Sequence, residues 1–341
     1  MTVRTLPWAP GSVPLMLAPM QGLTNRGMRG LFARWVRPDV LFTEFVRVRP
    51  KAKKVISASD RRDVLDEAEG IPLVVQLIGT ATGGVVEAAQ ILVDLGVRHI
   101  NLNMGCPYGR MSSHLSGGGM FKDLTGVPEL LDELRRLTPG SLSVKTRTGF
   151  NDCRQIFDLL PLFEDAGVDF LILHPRTVGQ KFNDHADHDV TAEVVAATSM
   201  PVIANGDIET AEIAHRVLEQ TSAAGLMLGR GATADPLLFE RIRGNAPAVP
   251  TPEEHAAQIR HYLLGLLDRY RDLFCGDHHV LFKLKASLAY QDTPELMPWV
   301  TRLRRARTLE SFVALLDGGA SDVDLPALRT RGPSFGAFRA T

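Results

Sequence analysis

Cysteine is scarce in this chain: Cys106, Cys153 and Cys275 are the only three in 341 residues, far apart and with no Cys-x-x-Cys pair. That excludes a disulfide framework and a cysteine-based structural zinc site, and reduced thiols fit a cytosolic compartment. Long apolar runs are missing as well. No stretch approaches the about 18 residues that span a bilayer, and the start, MTVRTLPWAPGSVP, lacks a basic segment leading into an apolar one. A cytoplasmic protein with no membrane partner is expected. Nor is there an excess of either charge, since 38 Lys and Arg stand against 39 Asp and Glu, a formal net charge of -1. This excludes a globally basic nucleic-acid binder but leaves local patches open. Two such patches occur, Arg47, Arg49, Lys51, Lys53 and Lys54 in RVRPKAKK, and Arg302, Arg304, Arg305 and Arg307 in RLRRAR. A solvated surface explains either as readily as a partner does. Finally, no GxGxxG opens the first unit, which argues against a Rossmann fold.

What the chain does have is a regular alternation of short apolar runs and amphipathic stretches, the pattern of a parallel sheet covered by helices. Strands are expected at 15–20, 40–45, 73–79, 99–105, 142–147, 170–176, 202–207 and 225–230. Helical patterning falls between most of them, as in GGVVEAAQILVDLG and VPELLDELRRL. Eight such units predict a (β/α)8 TIM barrel over residues 1–243. The segment GNAPAVPTP (244–252), with three prolines, reads as a linker. Beyond it, EEHAAQIRHYLLGLLDRY, HHVLFKLKASLAYQ and SFVALLDG predict a small all-helical domain over 253–325, followed by an exposed tail, 326–341.

In such a barrel the catalytic groups come from the C-terminal ends of the strands. Here those ends carry Met20, Glu44, Gln76, Asn103 with Cys106, Lys145 with Arg147, His174 with Arg176, Asn205 with Asp207, and Gly229 with Arg230. Singly each has a plain explanation: Gln76 as a helix cap, Lys145 paired with Glu44, His174 as a core histidine. Together they predict one active site. The turns Asn205-Gly206-Asp207 and Gly229-Arg230-Gly231 follow the last two strands, where barrels commonly bind phosphate, and Arg230 adds a cation, so a phosphorylated ligand is expected. Lys145 and His174 suit a flavin, because a cation near its pyrimidine edge stabilises the reduced anion, although a Schiff-base lysine would use the same position. Cys106 is either a small buried hydrophobe or a reactive thiol, and Cys153 and Cys275 are expected to be buried hydrophobes. His185, Asp187, His188 and Asp189 invite a metal reading, but they are expected in a loop and lack HExxH spacing, so no metal is expected.

The motifs LAPM (17–20), TEFV (43–46), VQLIG (75–79), NLNMGCP (101–107), VKTRTGF (144–150), LHPRT (173–177), ANGDI (204–208) and LGRGA (228–232) occur in this order. Together they resemble the tRNA-dihydrouridine synthase family, flavoenzymes that reduce uridines in tRNA. The resemblance implies FMN held around Pro19 and Met20, by Gln76, Lys145 and His174, and by the loops of Asn205, Gly206 and Asp207 and of Gly229 and Arg230. It implies that Asn103 contacts the target uracil, that Cys106 donates a proton, and that NADPH is the reductant. Arg147 and Arg176 join Asn103 as expected substrate contacts. The chain departs from many relatives at Met111 and Ser112 and at Gly117, Gly118 and Gly119, in a loop expected to cover the nucleotide. Asp207 stands where some members carry glutamate. The expected partner is tRNA, bound through the helical domain by a protein acting as a monomer. The rival readings are an FMN barrel acting on a free pyrimidine, a Schiff-base barrel, and a non-catalytic tRNA-binding relative.

Overall fold

The structure is a computed structural model that describes residues 5–49, 55–65, 69–81, 83–108 and 115–318. Lys51, Lys53, Lys54, Met111, Ser112 and the tail 326–341 lie outside the described residues. The chain forms two compact units, Met1–Ala248 and Val249–Thr341.

The first unit contains β1 (Leu15–Leu17), β2 (Val40–Phe42), β3 (Val46–Arg47), β4 (Leu73–Ile78), β5 (His99–Met104), β6 (Leu142–Arg147), β7 (Phe170–His174), β8 (Val202–Asn205) and β9 (Gly225–Leu228). All pairings are parallel, in the order β2-β1-β9-β8-β7-β6-β5-β4, and a further pairing of β2 with β4 closes the ring. This is an eight-stranded (β/α)8 barrel. The short β3, which sequence patterning does not reveal, pairs only with β4 among the described residues. Several strands stop earlier than expected, β1 at Leu17 and β9 at Leu228 for example, because the following residues turn into the loops of the barrel mouth.

Alternation along each strand divides its residues between two cores. Ile100, Leu102, Val144, Leu171, Leu173 and Val202 pack outward with helix residues such as Leu92, Leu131, Leu134 and Phe163. The opposite parity points into the barrel, where Met16, Val40, Phe42, Val74, Phe170, Ile172, Ile203 and Met227 form the inner core. Trp8 meets Phe170 edge to face at 4.8 Å between centroids, adding an aromatic to that inner core. Continuing the inward parity along the strands gives Gln76, Asn103, Lys145, His174 and Asn205, so one geometric rule sends the apolar residues to the middle and the polar ones to one end.

The second unit is helical throughout its described part: Pro252–Leu273, Asp277–Ser287, Met297–Arg305 and Leu309–Gly318. The first of these opens with a capping box formed by Thr251 and Glu254. The helix Met297–Arg305 is masked in the sequence by Pro298 and its arginines, yet it buries Trp299, Val300 and Leu303 and donates from Trp299 Nε1 to Leu315 O at 3.0 Å. The arginine patch is not one solvated strip. Arg304 donates to the carbonyls of Leu288 at 2.5 Å and Gln291 at 2.9 Å, whereas Arg305 and Arg307 are exposed.

At the opposite end of the barrel from the polar ring, Asp169 accepts from Leu142 N at 2.7 Å and pairs with Arg135, which also donates to the carbonyls of Thr138 and Gly140. Both side chains are 10% exposed. Asp169→Ala leaves the buried guanidinium without its carboxylate and is expected to cost about 3 kcal/mol, lowering the denaturant midpoint with an unchanged m-value. A midpoint equal to wild type would show that this pair does not hold β6 to β7.

Candidate active site

The polar strand ends are joined by a chain of amides. Asn101 Nδ2 donates to Ser143 Oγ at 2.9 Å, Gln76 Nε2 donates to Asn101 Oδ1 at 2.8 Å, and Asn103 Nδ2 donates to Gln76 Oε1 at 2.8 Å. Asn103 Oδ1 then accepts from the backbone N–H of both Gly105 and Cys106 at 3.0 Å. Each amide fixes the orientation of the next, and the last one holds the backbone of Cys106. The glycines after the undescribed 109–114 segment pack directly on this cysteine: Gly118 N donates to Cys106 O at 3.1 Å, and a Cβ on Gly117 would lie 3.2 Å from Cys106 Cβ. Cys106 is half-buried, and its side chain is close enough to interact electrostatically with Lys145 and Arg147. Cys153 and Cys275, expected to be buried, are both exposed; neither stands on a strand, so the barrel core makes no claim on them.

Four cations converge on the same end of the barrel. Lys145 Nζ donates to Asn205 Oδ1 at 2.7 Å, not to Glu44, which accepts from Gly22 N at 2.9 Å. Loss of hydration, with the charge of Arg147 nearby, lowers the Lys145 amine from 10.5 to about 7. Desolvation and the charge of Arg176 lower Arg147 to about 10. Burial, reinforced by Arg147 and Lys145, holds His174 well below its ordinary range, so it is neutral. Arg176 NH1 donates to His174 Nε2 at 2.9 Å, which places the imidazole proton on Nδ1.

The structure places Arg176, expected to contact substrate, against acceptors of the protein. Its NH1 and NH2 reach His174 Nε2, both oxygens of Asp207 (3.0 and 2.6 Å) and Asp184 O (2.7 Å), while Nε donates to Asn183 O at 3.2 Å. All five N–H groups are committed within the protein, so Arg176 positions other groups instead of offering donors to a ligand. Arg147 gives Nε to Gly105 O and NH1 to the carbonyls of Thr177 and Lys181. Its NH2 has no hydrogen-bond partner among the described residues.

Asp207, with φ +51, also accepts from Arg230 NH2 at 2.6 Å and Ala186 N at 2.8 Å. Burial opposes its ionisation, but the hydrogen bonds from Arg176 and Ala186 and the charges of Arg176 and Arg230 outweigh it and hold the carboxyl below its usual value. A side chain at Gly206 would be strained, because its φ is +120 and a Cβ would fall 3.0 Å from His174 Cδ2 and from Ala186 Cβ. Pro19 and Met20 continue from β1, and a Cβ on Gly229 would meet Met20 Sδ and Ala18 Cβ at 3.5 Å. Three of the metal-like quartet have other tasks. Asp187 caps the helix His188–Ala197, His188 Nε2 donates to Gly206 O at 3.0 Å, and Asp189 accepts from Gln220 at 2.6 Å. His188 and Asp189 thus open a helix instead of lying in a loop. Two residues at the mouth, Tyr108 and Phe182, carry no periodic signal and escape sequence reasoning; the Phe182 ring lies 5.9 Å from that of His174 and 5.8 Å from that of Tyr108.

The fold and this arrangement define a barrel enzyme whose strand ends form a cation-rich mouth around a cysteine. A family model described as dihydrouridine synthase (Dus) matches residues 16–292. The chain is 33% identical to tRNA-dihydrouridine synthase B of Pseudomonas aeruginosa over 72% of its length and 76% of that protein. It is 33% identical to a probable tRNA-dihydrouridine synthase of Rhodobacter capsulatus over 76% and 82%, and 29% identical to tRNA-dihydrouridine synthase B of Xanthomonas campestris over 88% and 91%. Among solved structures, morphinone reductase is similar in fold at a TM-score of 0.50 and 15% identity, over 71% of this chain and 88% of that one. A histamine dehydrogenase from Rhizobium sp. 4-9 gives 0.52 and 12%, over 75% and 49%. The chain belongs to the dihydrouridine synthase family.

The lowered Lys145 amine makes stability depend on pH. Between pH 7 and 10.5 the unfolded lysine holds a proton that the folded protein has released, so raising pH through this window favours folding. In protein freed of bound ligand, urea titrations are expected to show wild type gaining stability relative to Lys145→Met as pH rises from 7 towards 10. A difference that stays flat with pH would mean that the amine is solvated.

Proposed function

We propose that the protein reduces specific uridines in tRNA to 5,6-dihydrouridine in the cytoplasm, as a monomer, with FMN as cofactor, NADPH as reductant and Cys106 as proton donor. The observation that carries this reading is Cys106, its backbone N–H held by Asn103 Oδ1 and its side chain near enough to Lys145 and Arg147 to interact with their charges, in a chain of this family. The residues suit an anionic flavin nucleotide. Lys145, Arg147, Arg176 and Arg230 outnumber the Asp207 carboxylate that the last two share, and Nε and NH1 of Arg230 have no hydrogen-bond partner among the described residues. The open backbone at Gly229 gives a phosphate room to approach N–H groups. Pro19, Met20, Gln76, Lys145, His174, Asn205, Gly206, Asp207, Gly229 and Arg230 would hold it. When bound and reduced, the flavin supplies the hydride that goes to C6 of the uracil.

The chain's own residues do the rest. Asn103, its carboxamide oriented by Gln76, contacts the uracil, and the NH2 group of Arg147 is a second donor. Cys106 gives its proton to C5. The positive charge of Arg147 stabilises the thiolate left behind. The uracil must leave its stack to enter the mouth, so uridines in loops are the cheaper targets. A lowered lysine amine also suits a Schiff-base barrel, but that reading predicts a colourless protein trapped by borohydride, and family membership weighs against it.

Cys106→Ala is expected to retain FMN and tRNA while dihydrouridine formation falls by about 10²- to 10⁴-fold; wild-type turnover in that variant would remove the assignment. In the helical unit, the exposed Arg305 and Arg307 are the candidate phosphate contacts. Changing both to Gln should reduce the slope of log K against log salt by roughly one to two. An unaltered slope would assign the contacts elsewhere.

A further inference from the structure

We propose that Tyr108 and Phe182 form a stacking platform at the barrel mouth for an unpaired RNA base next to the uridine that reacts. The proposal rests on the function proposed above. Both rings are exposed, Tyr108 at 52% and Phe182 at 41%, and they stack on each other with centroids 5.8 Å apart and planes 27° from parallel. The Tyr108 hydroxyl has no hydrogen-bond partner among the described residues, and the charge near it is that of Arg147, itself one of the cations that border the platform.

Phe182 is presented, not merely left outside. Its neighbours Lys181, at φ +56, and Asp184, at φ +61, both lie in the left-handed region that residues other than glycine avoid. Two such residues within four persist only when the surroundings impose them. Here the surroundings are the active-site arginines: Arg147 donates to Lys181 O at 2.6 Å, and Arg176 donates to Asn183 O at 3.2 Å and Asp184 O at 2.7 Å. The carbonyls on both sides of Phe182 are therefore pinned by the groups that organise the catalytic end. The guanidinium carbons of Arg147 and Arg230 each lie 5.2 Å from the Phe182 ring centroid.

A flat aromatic surface bordered by cations with N–H groups to spare matches a nucleotide, whose base has a π-face and whose backbone is anionic. It does not match an apolar peptide, which would leave the cations desolvated. A uridine drawn into the mouth carries its neighbours to the rim, where an exposed ring can take up one of them. Stacking of this kind tolerates any base, so the platform would hold the strand and leave the choice of uridine to other contacts.

The test is a thermodynamic cycle on tRNA transcripts, intact or with an abasic site on either side of the uridine that becomes dihydrouridine, against wild type, Tyr108→Ala and Tyr108→Trp. Tyr108→Ala is expected to weaken binding of the intact transcript by about 5- to 30-fold, and Tyr108→Trp to restore it. On one side of the uridine the abasic site should weaken wild type by a similar factor yet leave Tyr108→Ala unchanged. Additive losses on both sides, or an unchanged dissociation constant in Tyr108→Ala, would overturn the platform. Dihydrouridine formed by wild type on the intact transcript reads the underlying function separately: if it forms while the losses are additive, only the platform falls.

Discussion

The carboxylate of Asp207 is the point on which the catalytic end depends. Arg176 and Arg230 both close on it at 2.6 Å, and through Arg176 it reaches His174 and the carbonyls of Asn183 and Asp184. Without that negative charge, Arg176 and Arg230 would repel each other and, with them, Lys145 and Arg147. Even with it the cluster carries excess positive charge, which adds to the loss of hydration that lowers Lys145 to about 7 and Arg147 to about 10. A site that is electrostatically uncomfortable when empty is one that an anion relaxes. Functional sites commonly carry such strain, and the remainder of the barrel must hold it in place.

The barrel does so through parity. Inward residues of β4, β5 and β6 are apolar or small at one end and become carboxamides and cations at the other, so the hydrogen-bonded series Ser143, Asn101, Gln76, Asn103 crosses three adjacent strands. Buried amides of this kind are costly when left unsatisfied and specific when each finds its partner. Its last member fixes the Cys106 backbone, coupling the reactive end to the rigid wall of the barrel.

Much of this was legible in the sequence. Strands buried on both faces read as apolar runs, and a polar residue closing such a run has to point somewhere, which is why Gln76, Lys145, His174 and Asn205 could be singled out. Other features had no such signature. Whether an arginine faces a ligand or its own loop depends on carbonyls brought near by folding, so the commitment of all five Arg176 donors was hidden. The arginines of 302–307 looked like one patch, but a helix interrupted by Pro298 turns Arg304 to the carbonyls of Leu288 and Gln291. Tyr108 and Phe182 lie in irregular segments, where no period says which way a ring faces. Cys153 and Cys275 lie outside the strands, so their type alone suggested a burial that the fold does not impose.

If the excess positive charge is what the mouth is built around, the phosphate of the cofactor should matter more than its ring. Equilibrium titration of the ligand-free protein with FMN and with riboflavin, which differ by that phosphate, tests this directly. Charge-assisted hydrogen bonds of about 1.5–3 kcal/mol each predict that riboflavin binds about 100-fold more weakly or worse. Equal affinities, or no uptake of FMN at all, would contradict the account.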